Sequence, residues 1–126
     1  MEIEKYWEAV SRQDANELRT YFHPDAKVNW HCTNEQFNVE EFIRANCEYP
    51  GDWDGEIEQC FHFANKIITA THVISKTGTI SCHAVSIFTI KDDKIVWVDE
   101  YWGDDGEAPK WRKDLHIGTE INRATN

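Results

Sequence analysis

Residues 79–102 read TISCHAVSIFTIKDDKIVWVDEYW, and this stretch decides the fold of the chain. Apolar and polar side chains alternate with a period of two on both sides of Asp92-Asp93, which predicts two antiparallel strands joined by a two-residue turn. The same period runs through residues 56–63 and 66–75, with short polar breaks between the runs. The second half of the chain is therefore predicted to form an antiparallel meander.

The first half of the chain follows the helical period instead. Apolar side chains spaced three and four residues apart predict a first helix, on Ile3, Tyr6, Trp7 and Val10. Capping signals predict two further helices, one from Asp14 to Phe22 and one at residues 39–48, with a strand at residues 26–32 between them. Helices followed by a meander predict an α+β fold. The length predicts a single domain over residues 1–126.

The charge balance restricts the partners of this chain. It has 13 Lys and Arg against 23 Asp and Glu, a formal net charge of -10. Such a surface repels phosphate backbones and anionic lipids, so binding to nucleic acid or to a membrane is not expected. The N-terminus has no apolar run for a signal peptide or a membrane span.

The spacing of the cysteines and glycines predicts the cellular compartment and whether the chain binds a cofactor. The four cysteines form no C-x-x-C pair and are expected to be reduced thiols without a disulfide, which predicts a cytoplasmic protein. No glycine loop that could cradle a phosphate is present, so no cofactor is predicted.

Two-residue turns would give the meander a definite register. The turn at Asp92-Asp93 would place His83 opposite Trp102 and diagonal to Glu100, and the preceding turn would pair His72 with His83. One sheet face is therefore predicted to carry both histidines together with Glu100 and Trp102. A three-residue loop between the two histidines would move His72 to the other face.

The other sheet face is predicted to be apolar as well, because it would carry Phe88, Trp97 and Tyr101. A sheet with two apolar faces needs a cover on each side. The helices can cover one face, and we expect a second copy of the chain to cover the other. This predicts a homodimer through the outer face of the sheet.

The motif YFHPDAKVNWH at residues 21–31, a following helix, and strands ending in DDKIVWVDEYW resemble the nuclear transport factor 2-like superfamily. The chain is most similar to its SnoaL-like, ketosteroid-isomerase-like branch, and the long motif EEFIRANCEYPGDWDGEIE suggests a bacterial subgroup. The resemblance covers nearly the whole chain. It implies a cone, in which a strongly curved antiparallel sheet wraps over the helices and leaves a cavity at the open end.

The resemblance also implies which face lies inside the cone. Trp102 matches an aromatic position that lines the cavity in ketosteroid-isomerase-like members, so the face with Glu100 is expected to be the interior. Those isomerases carry their general base as an Asp at the end of the first strand. This chain has Trp30-His31 there, so their chemistry does not carry over directly.

The candidate catalytic residues are His83, Glu100 and His72. A carboxylate beside an imidazole in an apolar interior favours the charged pair and makes a general base near neutral pH. The alternative is a buried polar pair that only fixes the strand register. Two histidines and a glutamate are also metal ligands, but their spacing matches no known motif, and no metal is predicted.

The candidate substrate-binding residues are expected around the open end of the cone, at Trp30, His31, Tyr49, Trp53 and Trp102. Each has an alternative role. The aromatic side chains are also what a core uses, and a histidine at a loop often only makes a hydrogen bond there.

The predicted function is that of a small-molecule-binding cone protein. Acid–base chemistry of isomerase, dehydratase or cyclase type on a partly apolar substrate is the favoured activity. The alternative is a non-catalytic ligand-binding module or a dimeric adaptor. A pocket of several hundred cubic ångströms with His83 touching Glu100 would favour the enzyme, whereas a cone filled by its own tryptophans would favour the adaptor.

Overall fold

The computed structural model describes residues 1–121. Its helices are α1 (Ile3–Arg12), α2 (Ala15–Thr20), α3 (Val39–Cys47) and α4 (Lys110–Asp114). Its strands are β1 (Phe22–Trp30), β2 (Glu35–Asn38), β3 (Trp53–Phe63), β4 (Lys66–Ser75), β5 (Ser81–Lys91) and β6 (Lys94–Asp104). A 3-10 turn at His31–Thr33 joins β1 to β2. No helix within residues 1–121 is both long and apolar enough to span a bilayer.

The six strands form one curved, unclosed sheet in the order β2-β1-β6-β5-β4-β3. Neighbouring strands are antiparallel except for β1 and β6, which run parallel. The predicted α+β fold and the predicted meander of β3 to β6 are confirmed. Neither β2 nor the parallel pair was predicted from the sequence. The parallel pair joins β1 to β6, which lie far apart in the chain.

Local capping signals place the helices as expected. Asn38 and Glu41 form the capping box of α3, since the side chain of each accepts from the backbone N–H of the other at 2.9 Å. Asp14 caps α2 by accepting from the backbone N–H of Glu17 at 3.0 Å. The helix predicted to reach Phe22 ends at Thr20, because Phe22 pairs with β6 and starts β1.

The core lies between the helices and the concave, inner face of the sheet. α1 buries the apolar face that the sequence predicts, on Ile3, Tyr6, Trp7 and Val10. The Tyr6 ring lies edge-on to Phe88 of β5 at 5.2 Å between centroids, and the Trp7 indole donates to Thr69 of β4 at 3.2 Å. Both partners are fully buried, so they mark the inner face of the sheet, and the prediction that Phe88 lies on the outer face is wrong.

The turn between β5 and β6 forms as predicted. Asp92 and Asp93 both have positive φ angles, 52° and 61°, which a type I′ hairpin turn requires. Lys91 and Lys94 pair on either side of the turn.

A bulge in β6 then changes which side chains face the core. Ile95 pairs with Ile90 but Trp97 pairs with Thr89, so Val96 is an additional residue in β6. An extra residue shifts the register by one and exchanges the faces of the following side chains relative to β5. As a result Glu100 pairs with a buried Ser86, and not with Val85 as the unbulged hairpin would have it.

Candidate functional site

A cavity of about 400 Å³ lies at one end of the inner sheet face. The end of α1, the chain after β1, the end of α3 and the start of β3 surround it together with the ends of β4 and β6. Its lining is mainly apolar and consists of Val10, Ser11, Gln13, Trp30, Cys32, Thr33, Ala45, Asn46, Tyr49, Trp53, Val73, Trp102 and Asp104.

Four of the five predicted substrate-binding residues line this cavity. Tyr49 and Trp53 contact each other at 5.4 Å between ring centroids, and Trp30 lies 6.4 Å from Trp102 with the rings inclined by 65°. Tyr49 is 52% exposed and therefore lies at the solvent edge of the cavity. The placement of the four side chains agrees with the expectation, and their role in binding stays a prediction.

Glu100 is fully buried behind the indoles of Trp30 and Trp102. Its carboxylate accepts from Ser86 Oγ at 2.6 Å and from Trp30 Nε1 at 2.9 Å. Burial raises the pKa of Glu100, while these donors and the nearby indole of Trp102 act to lower the same pKa. The Trp102 N–H is buried and makes no hydrogen bond of normal geometry to any residue in 1–121. The carboxylate thus fixes Trp30 directly and lies beside Trp102, so it supports two walls of the cavity.

The predicted contact between His83 and Glu100 is wrong. The Val96 bulge pairs His83 with Gly103 instead of Trp102, and the neighbouring Ala84 takes the inward position. His83 therefore lies on the outer face of the sheet. His72 pairs with His83 as predicted and lies on the outer face with it, so neither candidate catalytic histidine reaches the cavity.

The two histidines belong to a polar cluster on that outer face. Their rings are stacked 4.6 Å apart and 9° from parallel. His83 Nδ1 contacts Asp105, and Ser81 Oγ bridges His72 at 2.7 Å and Asp105 at 2.5 Å. The hydrogen bond to Asp105 raises the pKa of His83, with a smaller contribution from Glu58. Burial acts to raise the pKa of Asp105, but its bonds to Ser81 and His83 hold that pKa below its usual value.

The possible ligand atoms of this cluster lie about as close together as those of a metal site, but the two imidazole rings are not oriented to bind one metal. Glu58, His72 and His83 each offer a ligand atom within 4.8 Å of the others. A metal lies in the plane of each imidazole that binds it, along the nitrogen lone pair. Two stacked, nearly parallel rings do not direct their lone pairs at one point, so the residues as arranged do not fit a divalent metal.

His31, the fifth predicted substrate-binding residue, lies outside the cavity. Its ring stacks on Tyr101 at 4.5 Å, and its Nε2 lies 2.7 Å from Asp99 Oδ1. Asp99 and Tyr101 point outward because Glu100 between them points inward. His31 is therefore part of the outer surface. The expectation that it lies beside Trp30 in a ligand site is wrong.

Several cavity residues were missed by the sequence analysis. Gln13, Asn46 and Asp104 line the cavity, and Ser86 bonds to Glu100. Gln13 occupies a left-handed position with φ 56° between α1 and α2, which turns its side chain toward α3. The helix cap at Asp14, the next residue, was the sequence signal that could have indicated this turn. The bulge pairs Ser86 with Glu100, so a prediction of the bulge would also have identified Ser86.

The fold is shared with proteins of known structure. A candidate ketosteroid isomerase from Kribbella flavida superposes with a TM-score of 0.77 at 19% identity, covering 94% of this chain and 86% of that chain. An NTF-2-like protein of unknown function from Burkholderia xenovorans gives a TM-score of 0.75 at 21% identity, over 94% of this chain and 91% of that chain. A protein with a ketosteroid isomerase-like fold from Catenulispora acidiphila, in complex with trimethylamine, gives a TM-score of 0.67 at 14% identity. The match covers 79% of this chain and 84% of that chain.

These identities establish a common fold and nothing beyond it. No curated protein sequence matches the chain at a significant level. The model of the SnoaL-like domain family matches residues 3–98, from the start of α1 into β6. Because this match spans most of the sequence and the fold agrees with it, the chain belongs to the SnoaL-like domain family.

Proposed function

We propose that this chain binds a small, mainly apolar molecule in the cavity between α1, α3 and the sheet. One observation carries the proposal: a space of about 400 Å³ remains beside Trp30, Tyr49, Trp53 and Trp102, which do not fill it. Ligand pockets of a few hundred cubic ångströms typically have such aromatic walls and a few polar groups. The Catenulispora acidiphila relative in complex with trimethylamine supports the use of this fold for a small ligand.

In this proposal Glu100 is a positioning residue. Its carboxylate is fully buried and accepts from the indole of Trp30 and the hydroxyl of Ser86. A buried carboxylate with such donors fixes the orientation of the groups that bond to it. It would therefore hold the cavity open in the absence of a ligand, which lowers the cost of binding.

The test is to fill the cavity from within. Ala45 lines it, and Ala45→Phe would occupy part of the space. Ala108→Phe makes the same change at an exposed residue outside the lining and is the matched control. We expect small aromatic probes to quench tryptophan fluorescence in the wild type and in the control but not in Ala45→Phe. Equal quenching in all three proteins would reject the cavity as the binding site.

A second candidate is cofactor-independent acid–base catalysis of isomerase, dehydratase or cyclase type. The observation that favours it is the raised pKa of Glu100, because a buried carboxyl of this kind can exchange a proton nearer to neutral pH. The carboxylate lies behind Trp30 and Trp102, so one indole would have to move before a substrate reached it. Under this proposal Glu100→Gln would bind substrate but not turn it over, and unchanged turnover would exclude it.

We also propose that a second copy of the chain covers the outer sheet face. That face exposes 57% of Phe61, 44% of Val85, 40% of Trp97 and 44% of Tyr101. Apolar side chains gathered on one face are the usual mark of an interface, and a self-complementary sheet face favours a twofold dimer. A dimeric adaptor without a ligand remains the alternative if the cavity binds nothing.

A further inference from the structure

The amide side chains in the cavity wall have their nitrogens occupied and their oxygens available. Gln13 Nε2 donates to the backbone carbonyls of Asn46 at 2.9 Å and Tyr49 at 2.6 Å, and Asn46 Nδ2 donates to the carbonyl of Val10 at 3.1 Å. A carbonyl oxygen can only accept, so these bonds fix which end of each amide is the nitrogen. Each amide oxygen therefore keeps its lone pairs and its partial negative charge, so it can accept a hydrogen bond or attract a positive group that has no N–H.

The serine and threonine hydroxyl groups of the wall have also donated their hydrogens to other groups of the protein. Ser11 Oγ donates its hydrogen to the carbonyl of Trp7 at 2.9 Å, and Thr33 Oγ1 donates to Glu35 at 2.7 Å. Only their lone pairs remain for other partners. The donors that the wall retains within residues 1–121, at Cys32, Tyr49, Trp53 and Trp102, are all neutral.

Within residues 1–121, the only charged side chain in the wall is a carboxylate. Among residues 1–121, Asp104 lines the cavity, and no Lys, Arg or His does. An anionic ligand would meet this carboxylate and the amide oxygens with no positive group to offset them. A cation would meet acceptors and a negative charge, and the net charge of -10 would raise its concentration near the protein.

The aromatic walls favour the same kind of ligand. The face of an indole or phenol ring carries negative potential and attracts ammonium groups. Trp30 donates its N–H to Glu100 at 2.9 Å, and an acceptor at that position polarises the indole so that its ring face becomes more negative. Trp53 and Tyr49 form a second aromatic pair across the lining.

We infer that the ligand of this cavity is a small organic cation, a protonated tertiary amine or a quaternary ammonium compound with apolar substituents. Its charge would lie among Trp30, Trp102 and Asp104, and its apolar part would lie against Tyr49 and Trp53. The inference rests on the proposed function and specifies the ligand class for the same cavity.

The test compares three probes of similar size and different charge: phenyltrimethylammonium, its uncharged isostere tert-butylbenzene, and benzoate. Binding is measured by quenching of tryptophan fluorescence at constant ionic strength. We expect the cation to bind about tenfold more tightly than the neutral isostere, the factor that one desolvated cation–π contact supplies. Benzoate is expected to bind more weakly than both.

A charge variant distinguishes attraction of the cation by the cavity from attraction by the net charge of the whole protein. Asp104→Asn should weaken binding of the cation about three- to tenfold and leave tert-butylbenzene unchanged. Asp25→Asn removes the same charge from β1 outside the cavity lining and should change neither affinity appreciably.

The outcomes distinguish this inference from the proposed function. If tert-butylbenzene or benzoate binds as tightly as the cation, the cation preference is refuted, while binding in the cavity stands. If Asp104→Asn and Asp25→Asn weaken the cation equally, the attraction comes from net charge and the inference fails. If no probe binds, the inference fails together with the proposed function.

Discussion

Ser86 Oγ donates a 2.6 Å hydrogen bond to Glu100 Oε2 across the β5–β6 pair, between two side chains that are both fully buried. This contact exists because the bulge at Val96 sets the two residues opposite each other. It places a carboxyl group directly behind the tryptophans of the cavity. Stability, pH dependence and binding should therefore all respond to Glu100.

Removing the hydroxyl should destabilise the protein. Ser86→Ala leaves a buried carboxyl oxygen without its donor, and we expect the free energy of unfolding to fall by about 1–3 kcal/mol. Urea denaturation of the variant measures this. Ser11→Ala, which removes a half-buried hydroxyl bonded to a helix carbonyl, is the control and should cost less than about 1 kcal/mol. An equal loss in both variants would mean that Ser86 does not support a buried acid.

Glu100 should also make stability depend on pH. Burial raises its pKa in the folded state above the value of 4.5 for a free glutamate, so the native protein holds this proton where the unfolded chain has lost it. By linkage, this contribution is fully present below the unfolded pKa and is lost as pH rises through the folded pKa. Glu100→Gln should flatten that decline in unfolding free energy. Parallel curves for variant and wild type would show that Glu100 is not the group responsible.

His83 should titrate independently of Glu100. Its pKa is raised mainly by the hydrogen bond to Asp105, and the two residues share the outer face. We expect Asp105→Asn to lower the pKa of the His83 ring, followed by NMR, and Glu100→Gln to leave it unchanged. The stability that this pair adds is present below the usual value near 6.5 and is lost as pH rises through the folded pKa. A shift in Glu100→Gln would place His83 on the inner face after all.

The outer face should associate with a second copy. Val85 lies on a central strand with 44% of its surface exposed, and Val85→Lys would place a charge in the middle of the proposed interface. We expect light scattering to give twice the mass of one chain for the wild type and the monomer mass for the variant. Ile117→Lys, at a residue 55% exposed outside the sheet, should remain dimeric. A monomeric wild type at micromolar concentration would refute the homodimer.

Features that depend on neighbouring residues could be predicted from the sequence. The capping box of Asn38 and Glu41 and the turn at Asp92-Asp93 each follow from residues within four positions of one another, and both form as predicted. The alternation of β4 gave its strand bounds and its pairing with β5. Trp30, Tyr49 and Trp53 were expected in the cavity wall because they lie where a strand or helix ends, and Trp102 because of the family resemblance; all four line the cavity.

The candidate catalytic set failed because it depended on one detail of strand pairing, the bulge at Val96. Val96 is apolar and β-branched like Ile95 before it, and Trp97 after it is apolar as well, so nothing in the residue itself marks it as the extra residue of a bulge. One unpaired residue was enough to move both His72 and His83 to the face opposite Glu100. The bond from Ser86 to Glu100 was missed for the same reason, whereas the bond from Trp30 was missed because the parallel pairing of β1 with β6 was not predicted.

The most direct test of the account is a crystal structure of the chain with phenyltrimethylammonium. We predict that the probe lies in the cavity against Trp30 and Trp102, with its ammonium group toward Asp104 and with Glu100 still bonded to Ser86 and Trp30. A cavity filled by the chain's own indoles, with the probe absent or bound on the outer face, would contradict it.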